Sequence, residues 1–154
     1  MEIEDTIEIK ASPQAIFSWL LNFQVNYTGW HPNHVKAKWT KGESFAVGSV
    51  LYTEEYIGTH LEKMKFQVIK VIPDKSINYK VLFPKSLICA GGSFSIEPSD
   101  GHSIFTATLK FPWGRILSKL FPAQLKALKI HMREEGENLK TILEKINEKS
   151  ITPN

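Results

Sequence analysis

The strongest constraint on the fold of this chain is an apolar stripe near its C-terminus. Phe121, Leu125, Leu128, Met132, Leu139, Ile142 and Ile146 recur at helical spacing. That period places one broad apolar face on a helix running from about Phe121 to Ile146. Such a face has to be buried against a large partner surface. Two polar residues interrupt it: Glu135 falls inside the stripe and His131 at its edge. A lone buried carboxylate costs several kcal/mol unless a partner or a metal compensates it. A histidine and a glutamate one helical turn apart can also reach a single ion.

The partner surface is predicted upstream. Glu2 to Lys10 alternates apolar and polar residues as a half-buried strand does. Ser12 and Pro13 read as an N-cap and first helical residue, opening a short apolar helix through Leu21. Asn22 to Trp30 reads as a second short helix or an irregular segment, and His31 to His34 as a Pro-containing turn. About six strands follow: Val35–Thr40, Ser49–Ile57, His60–Ile72, Ser76–Phe83, Cys89–Glu97 and His102–Phe111. Gly58-Thr59 and Pro98-Ser99-Asp100-Gly101 are the clearest turn signals between them. A short segment, Trp113 to Leu120, leads into the long helix. Strands in series followed by a helix predict an α+β domain with an antiparallel sheet curved around that helix. A cavity is expected between the concave face and the helix, with His131 and Glu135 looking into it.

Composition narrows the function classes. The 154 residues suit one domain, predicted over 1–148, with a frayed tail at 149–154. The net charge is only +3 and the basic residues are scattered, which argues against nucleic acid. The single cysteine, Cys89, excludes an internal disulfide and fits a reducing compartment. No apolar run is long enough to span a bilayer, and the acidic opening is no signal peptide, so a cytoplasmic location is expected. A homodimer is left open.

The layout resembles the START-like, or SRPBCC, superfamily with its helix-grip, birch-pollen-allergen-like fold. The resemblance covers nearly the whole chain. It rests on Ile9 to Phe17, on Glu55-Tyr56-Ile57-Gly58, and on Glu134 to Lys140. It implies a cavity for a lipid, hormone or polyketide, and in some members catalysis.

Several residues could furnish that cavity. His31 and His34 stand three apart around Pro32, which restricts the backbone between them. Neutral imidazole is a common zinc ligand. Glu54 and Glu55 lie on opposite faces of one strand, and alternation alone leaves the inward face undecided. If Leu51 and Ile57 point inward, Glu55 is the buried carboxylate. Tyr27, Trp30, Asn33, Tyr52, Tyr79 and Trp113 could shape a pocket for an aromatic or fatty ligand.

Histidines and glutamates from three distant segments are the donor types of a catalytic zinc site. The pattern is similar to that of the diacetylphloroglucinol hydrolase family, START-like zinc enzymes that cleave a carbon–carbon bond in an acylated phenol. Position by position, that resemblance implies His31, Glu55, His131 and Glu135 as ligands. His34 would stand where that family has a pocket asparagine, and it remains an alternative ligand. The resulting expectation is a hydrolase, dependent on zinc or another divalent metal, acting on a small acylated or aromatic compound. In it His34, Tyr27 or Tyr79 serves as proton donor or oxyanion partner. The competing expectations are a metal-free carrier for an apolar small molecule or lipid, and a metal-free polyketide cyclase or dehydratase.

Overall fold

In the computed structural model, which describes Met1–Ile151, the chain forms a seven-stranded antiparallel sheet and four α-helices. The order is β1 (Glu2–Ile9), α1 (Pro13–Leu21), α2 (Phe23–Trp30), β2 (His34–Lys41), β3 (Val50–Ile57), β4 (His60–Ile72), β5 (Ser76–Val81), β6 (Gly91–Ser99), β7 (His102–Lys110), α3 (Gly114–Leu120) and α4 (Pro122–Ile151). The strands lie in the order β1-β7-β6-β5-β4-β3-β2, so only β1 reaches its neighbour by a long connection. The helix-grip arrangement expected from the strand series is the one observed.

Local chemistry accounts for the boundaries. The Ser12 hydroxyl accepts the Ala15 N–H at 3.1 Å and Pro13 occupies the first turn, which starts α1. Asp100 and Gly101 both have positive φ and join β6 to β7 in a two-residue hairpin. Register shifts after His34, Trp39 and Val68 mark bulges that bend β2 and β4. The bent sheet closes around α4 rather than lying flat beneath it. β5 is shorter than the periodicity predicts, and β6 is shifted two residues toward the C-terminus. β5 stops at Val81 and β6 begins at Gly91, leaving 82–90 as a loop with a 3-10 turn at Lys85–Leu87.

The long helix buries a slightly different face from the one predicted. Met132, Gly136, Leu139 and Leu143 are buried, together with His131. Leu143 takes the place expected for Ile142, while Phe121 and Ile146, at the two ends, are about half exposed. The helix is longer than the sheet it crosses, so its apolar residues count only where strands lie beneath them. α4 continues through Ile151, so residues 149–151 of the expected tail are helical; 152–154 lie outside the described residues.

α1 and α2 cap one end of the sheet through an aromatic cluster of Trp19, Phe23, Trp30, Phe45 and Phe94. Leu139 joins that core, fully buried beside Ile9 and Phe105. Replacing it should therefore separate structural from superficial apolar residues of the stripe. Leu139→Ala is expected to lower unfolding free energy by about 2–5 kcal/mol. Ile146→Ala should cost less than about 0.5 kcal/mol. Urea denaturation of both variants measures the difference.

Candidate functional site

The site is built by three elements that meet inside the curve of the sheet. His34 opens β2 and pairs directly with Glu55 on β3. Directly opposed residues bring their Cβ atoms to about 4.5–5.5 Å. Leu51, Thr53, Glu55 and Ile57 all line the cavity, which settles the face of β3. Glu54 lies on the other face, where it accepts a hydrogen bond from the Tyr52 hydroxyl. From the opposite side, α4 presents His131 and Glu135 one turn apart. Trp30 and Asn138 hold that turn in place: the Trp30 indole N–H donates to the Glu135 carbonyl at 2.8 Å, and the Asn138 amide donates to the Trp30 carbonyl at 3.0 Å.

His34, Glu55, His131 and Glu135 form a closed quartet. His34 Nε2 stands 2.9 Å from Glu135 Oε1 and 3.6 Å from Glu55 Oε2. His131 Nε2 stands 2.9 Å from Glu55 Oε2 and 3.6 Å from Glu135 Oε1. Each imidazole thus faces both carboxylates. Both histidine side chains are buried, and the glutamates are 12% and 19% exposed.

The structure differs from the expectation at one corner of this set, although ring nitrogens of His31, His34 and His131 also lie within 4.8 Å of one another. His34, not His31, completes the quartet. His31 turns its Nε2 to Glu134 Oε2 at 2.8 Å and accepts the Asn33 N–H on Nδ1, so both nitrogens are engaged elsewhere. Its ring still packs 4.2 Å from that of His131. His34 prevails because the strand register sets it opposite Glu55, whereas His31 precedes the strand. Glu134 was not singled out from the sequence; its only signal is adjacency to Glu135 on the same helix.

The other candidates divide. Tyr27 stacks on His34 with ring centroids 3.9 Å apart, and Tyr79 is in the cavity wall between Phe66 and Phe94. Burial, with the charges of Glu55 and Glu135, pushes the Tyr27 hydroxyl far above the ordinary phenol range. Burial does the same to Tyr79, with smaller contributions from Cys89, Glu135 and Glu55. Both remain protonated, so each can donate a hydrogen bond and neither supplies a base. Trp30 lines the cavity and braces α4. Tyr52, Asn33 and Trp113, also expected to touch a ligand, do not line the cavity. Tyr52 is on the outer face of β3, and Asn33 instead spends its backbone N–H on His31. Trp113 sits exposed at the start of α3.

Beyond the quartet most of the cavity wall is apolar. It encloses about 430 Å³, within the range of small-molecule sites. Phe66, Met64, Leu128 and Met132 are among its walls.

The quartet fits a divalent metal on four observations. The four donor atoms lie within 4.8 Å of one another. Donors about 2.0–2.1 Å from a tetrahedral zinc stand about 3.3–3.5 Å apart, which the 2.9–3.6 Å separations bracket. His34 Nδ1 lies 2.8 Å from the Tyr27 carbonyl, which can only accept. Nδ1 therefore carries a proton, and Nε2, 2.9 Å from Glu135 Oε1, is the nitrogen turned toward the quartet. His131 has buried ring nitrogens without a hydrogen-bond partner, because Glu55 is close but out of line.

Electrostatics in the metal-free quartet oppose burial. Burial alone would lower the His131 pKa, but Glu135 and Glu55 outweigh it and raise it to about 10. Burial alone would raise the Glu135 carboxyl; His131 and His34 outweigh it and hold it well below the usual carboxylate range. The signs fix a pH window. The His131 contribution is complete below its unfolded value of 6.5 and is lost as pH rises through about 10. The Glu135 contribution is complete above its unfolded value of 4.5 and is lost as pH falls through its lower folded value. In chelator-treated protein the stability excess of wild type over His131→Gln should therefore peak near pH 5–6.5 and shrink toward pH 10. Thermal melts of both proteins across that range measure it; a constant difference contradicts the ion-pair account.

Comparison with known proteins agrees with this architecture. The profile of the family described as polyketide cyclase/dehydrase and lipid transport matches residues 1–144. No curated protein matches the sequence. Among solved structures, a polyketide-cyclase-like protein from Corynebacterium glutamicum shares 20% identity at a TM-score of 0.60, covering 99% of this chain and 97% of its own. A major latex-like protein from Panax ginseng shares 14% identity at 0.62, covering 86% of this chain and 97% of its own. The di-domain ARO/CYC protein BexL shares 14% identity at 0.66, with 92% of this chain matching 49% of that one. At such identities the structures report the shared fold.

Proposed function

Because the chain belongs to the polyketide cyclase/dehydrase and lipid transport family, we propose that it binds a small apolar or aromatic molecule whose carbonyl or hydroxyl group faces the His–Glu quartet. One observation carries this reading. An apolar cavity of about 430 Å³ includes Glu55, His131 and Glu135 in its wall, so a ligand filling it meets two carboxylates and an imidazole at one place. Apolar walls supply affinity, and the few polar groups fix orientation. The protonated hydroxyls of Tyr27 and Tyr79 are both cavity-lining, and each can donate to a ligand oxygen. The family description favours carriage, cyclisation or dehydration over acyl hydrolysis.

A second reading is favoured by the orphaned nitrogens of His131 and the Nδ1–H tautomer of His34. In it His34, Glu55, His131 and Glu135 hold a divalent metal, zinc by donor type. When bound, the metal supplies Lewis acidity toward a ligand carbonyl. Tyr27 keeps its stacking on His34, and the Tyr27 carbonyl keeps the His34 tautomer. Without metal the same groups serve as acid and base, with His131 protonated and Glu135 ionised.

Two measurements test these readings separately. Wild type should take up an environment-sensitive naphthylamine probe with micromolar affinity, and Leu128→Trp, which fills the cavity, should lose it. Absence of uptake by wild type overturns the binding reading. For the metal, zinc titrated into chelator-treated protein at about 100 times its dissociation constant should raise stability by about 2.7 kcal/mol. His34→Gln and Glu135→Gln should abolish that gain, while Glu54→Gln, on the outer face, should keep it. Equal zinc responses in all four proteins overturn the metal site.

A further inference from the structure

We propose that the cavity mouth docks on an anionic lipid bilayer through α3 and the 82–90 loop. This goes beyond the ligand reading and does not depend on the quartet. Trp113, Ile116 and Leu120 fall at i, i+3 and i+7, which places them on one face of α3. They are 52–65% exposed, so α3 presents this apolar face to solvent. Leu117, at the edge of that face, lines the cavity. Across the mouth, the 82–90 loop exposes Phe83, Leu87 and Ile88. Ile88 and Phe121 both line the cavity and are about half exposed, so the cavity opens between these two apolar segments. Contiguous exposed apolar surface of this kind marks an interaction site.

Charge identifies the occupant. Residues 101–133 contain no aspartate or glutamate but six basic residues, Lys110, Arg115, Lys119, Lys126, Lys129 and Arg133. The rest of the chain has thirteen basic and sixteen acidic residues. Lys110 and Arg133 are paired with Glu2 and Asp5 of β1. Arg115, Lys119, Lys126 and Lys129 form no ion pair among the described residues. At the mouth the nearby acid Glu62 is neutralised by Lys85. Exposed aromatic and aliphatic side chains ringed by unpaired cations match an anionic lipid surface. They oppose a second copy of the same face, which would bring four unpaired cations against four more. No helix among the described residues is long and apolar enough to cross a membrane, so the contact is interfacial. Along α4, Gln124 at the mouth precedes His131 by seven residues, about 10 Å of helix. Docking there would let an apolar ligand pass between bilayer and cavity without crossing water.

Vesicle flotation tests the surface with metal-free, ligand-free protein. Wild type should float with phosphatidylcholine–phosphatidylglycerol vesicles at low salt, float weakly with phosphatidylcholine alone, and detach as salt rises. Brominated lipids should quench its tryptophan fluorescence, and Trp113→Phe should remove most of that quenching. Leu120→Asp and the pair Lys119→Glu with Lys126→Glu change exposed residues only; each should lower partitioning about tenfold or more. They should retain the wild-type melting temperature and naphthylamine uptake, which separates this proposal from the binding reading. Wild-type protein that ignores anionic vesicles overturns the docking surface. So does a dimer seen by sedimentation that Leu120→Asp dissociates.

Discussion

A carboxylate on the inner face of a helix is the constraint around which the site is organised. Glu135 lies between buried Met132 and buried Leu139 on α4. Desolvation there would protonate it, and it stays ionised only because two imidazoles face it. Those imidazoles come from different directions: His131 from the preceding turn, His34 from the edge of the sheet. The second carboxylate, Glu55, arrives with His34 through the β2–β3 register. Removing one partner would leave the others partly uncompensated. The quartet behaves as a unit rather than as four residues.

Sheet curvature is what makes room for that unit. A flat sheet would pack directly on α4 and bury its stripe without a void. Bulges in β2 and β4 bend the strands, and the aromatic cluster of α1 and α2 props one end of the sheet away from the helix. Towards its other end α4 instead meets the Val81, Cys89 and Phe111 cluster through Met132. Between the two clusters the cavity takes its apolar walls from both layers. A polar quartet in an apolar cavity gives a ligand one orientation, which suits carriage and catalysis alike.

The molecule is therefore polar along α4. Toward its C-terminal half the helix is clamped to β1, with the Lys140 ammonium on the Glu8 carbonyl and the Lys10 N–H on Glu144. Toward its N-terminal half, past α3, the surface is apolar and cationic, and residues 101–133 carry no acid. Hydrogen-bonded packing lies at one end and exposed apolar surface at the other, with the quartet between them.

Much of this was legible in the residues alone. The series of strands, the turns at Gly58 and Asp100-Gly101, and the amphipathic long helix all follow from local periodicity and turn chemistry, which act over a few residues. His131 and Glu135 were legible for the same reason, as polar residues on an apolar stripe. Their partners were not. His31 and His34 are equivalent in sequence, and Glu54 and Glu55 differ only in the face of one strand. Strand register and the bulge after His34 chose His34 and Glu55. The same pairing left His31 to Glu134. Tyr52 and Trp113, plausible as ligand contacts by residue type, do not line the cavity. Periodicity specifies which side of an element is apolar, but not which elements face each other across the core. That choice belongs to tertiary packing, where residues a hundred positions apart become neighbours within 3 Å.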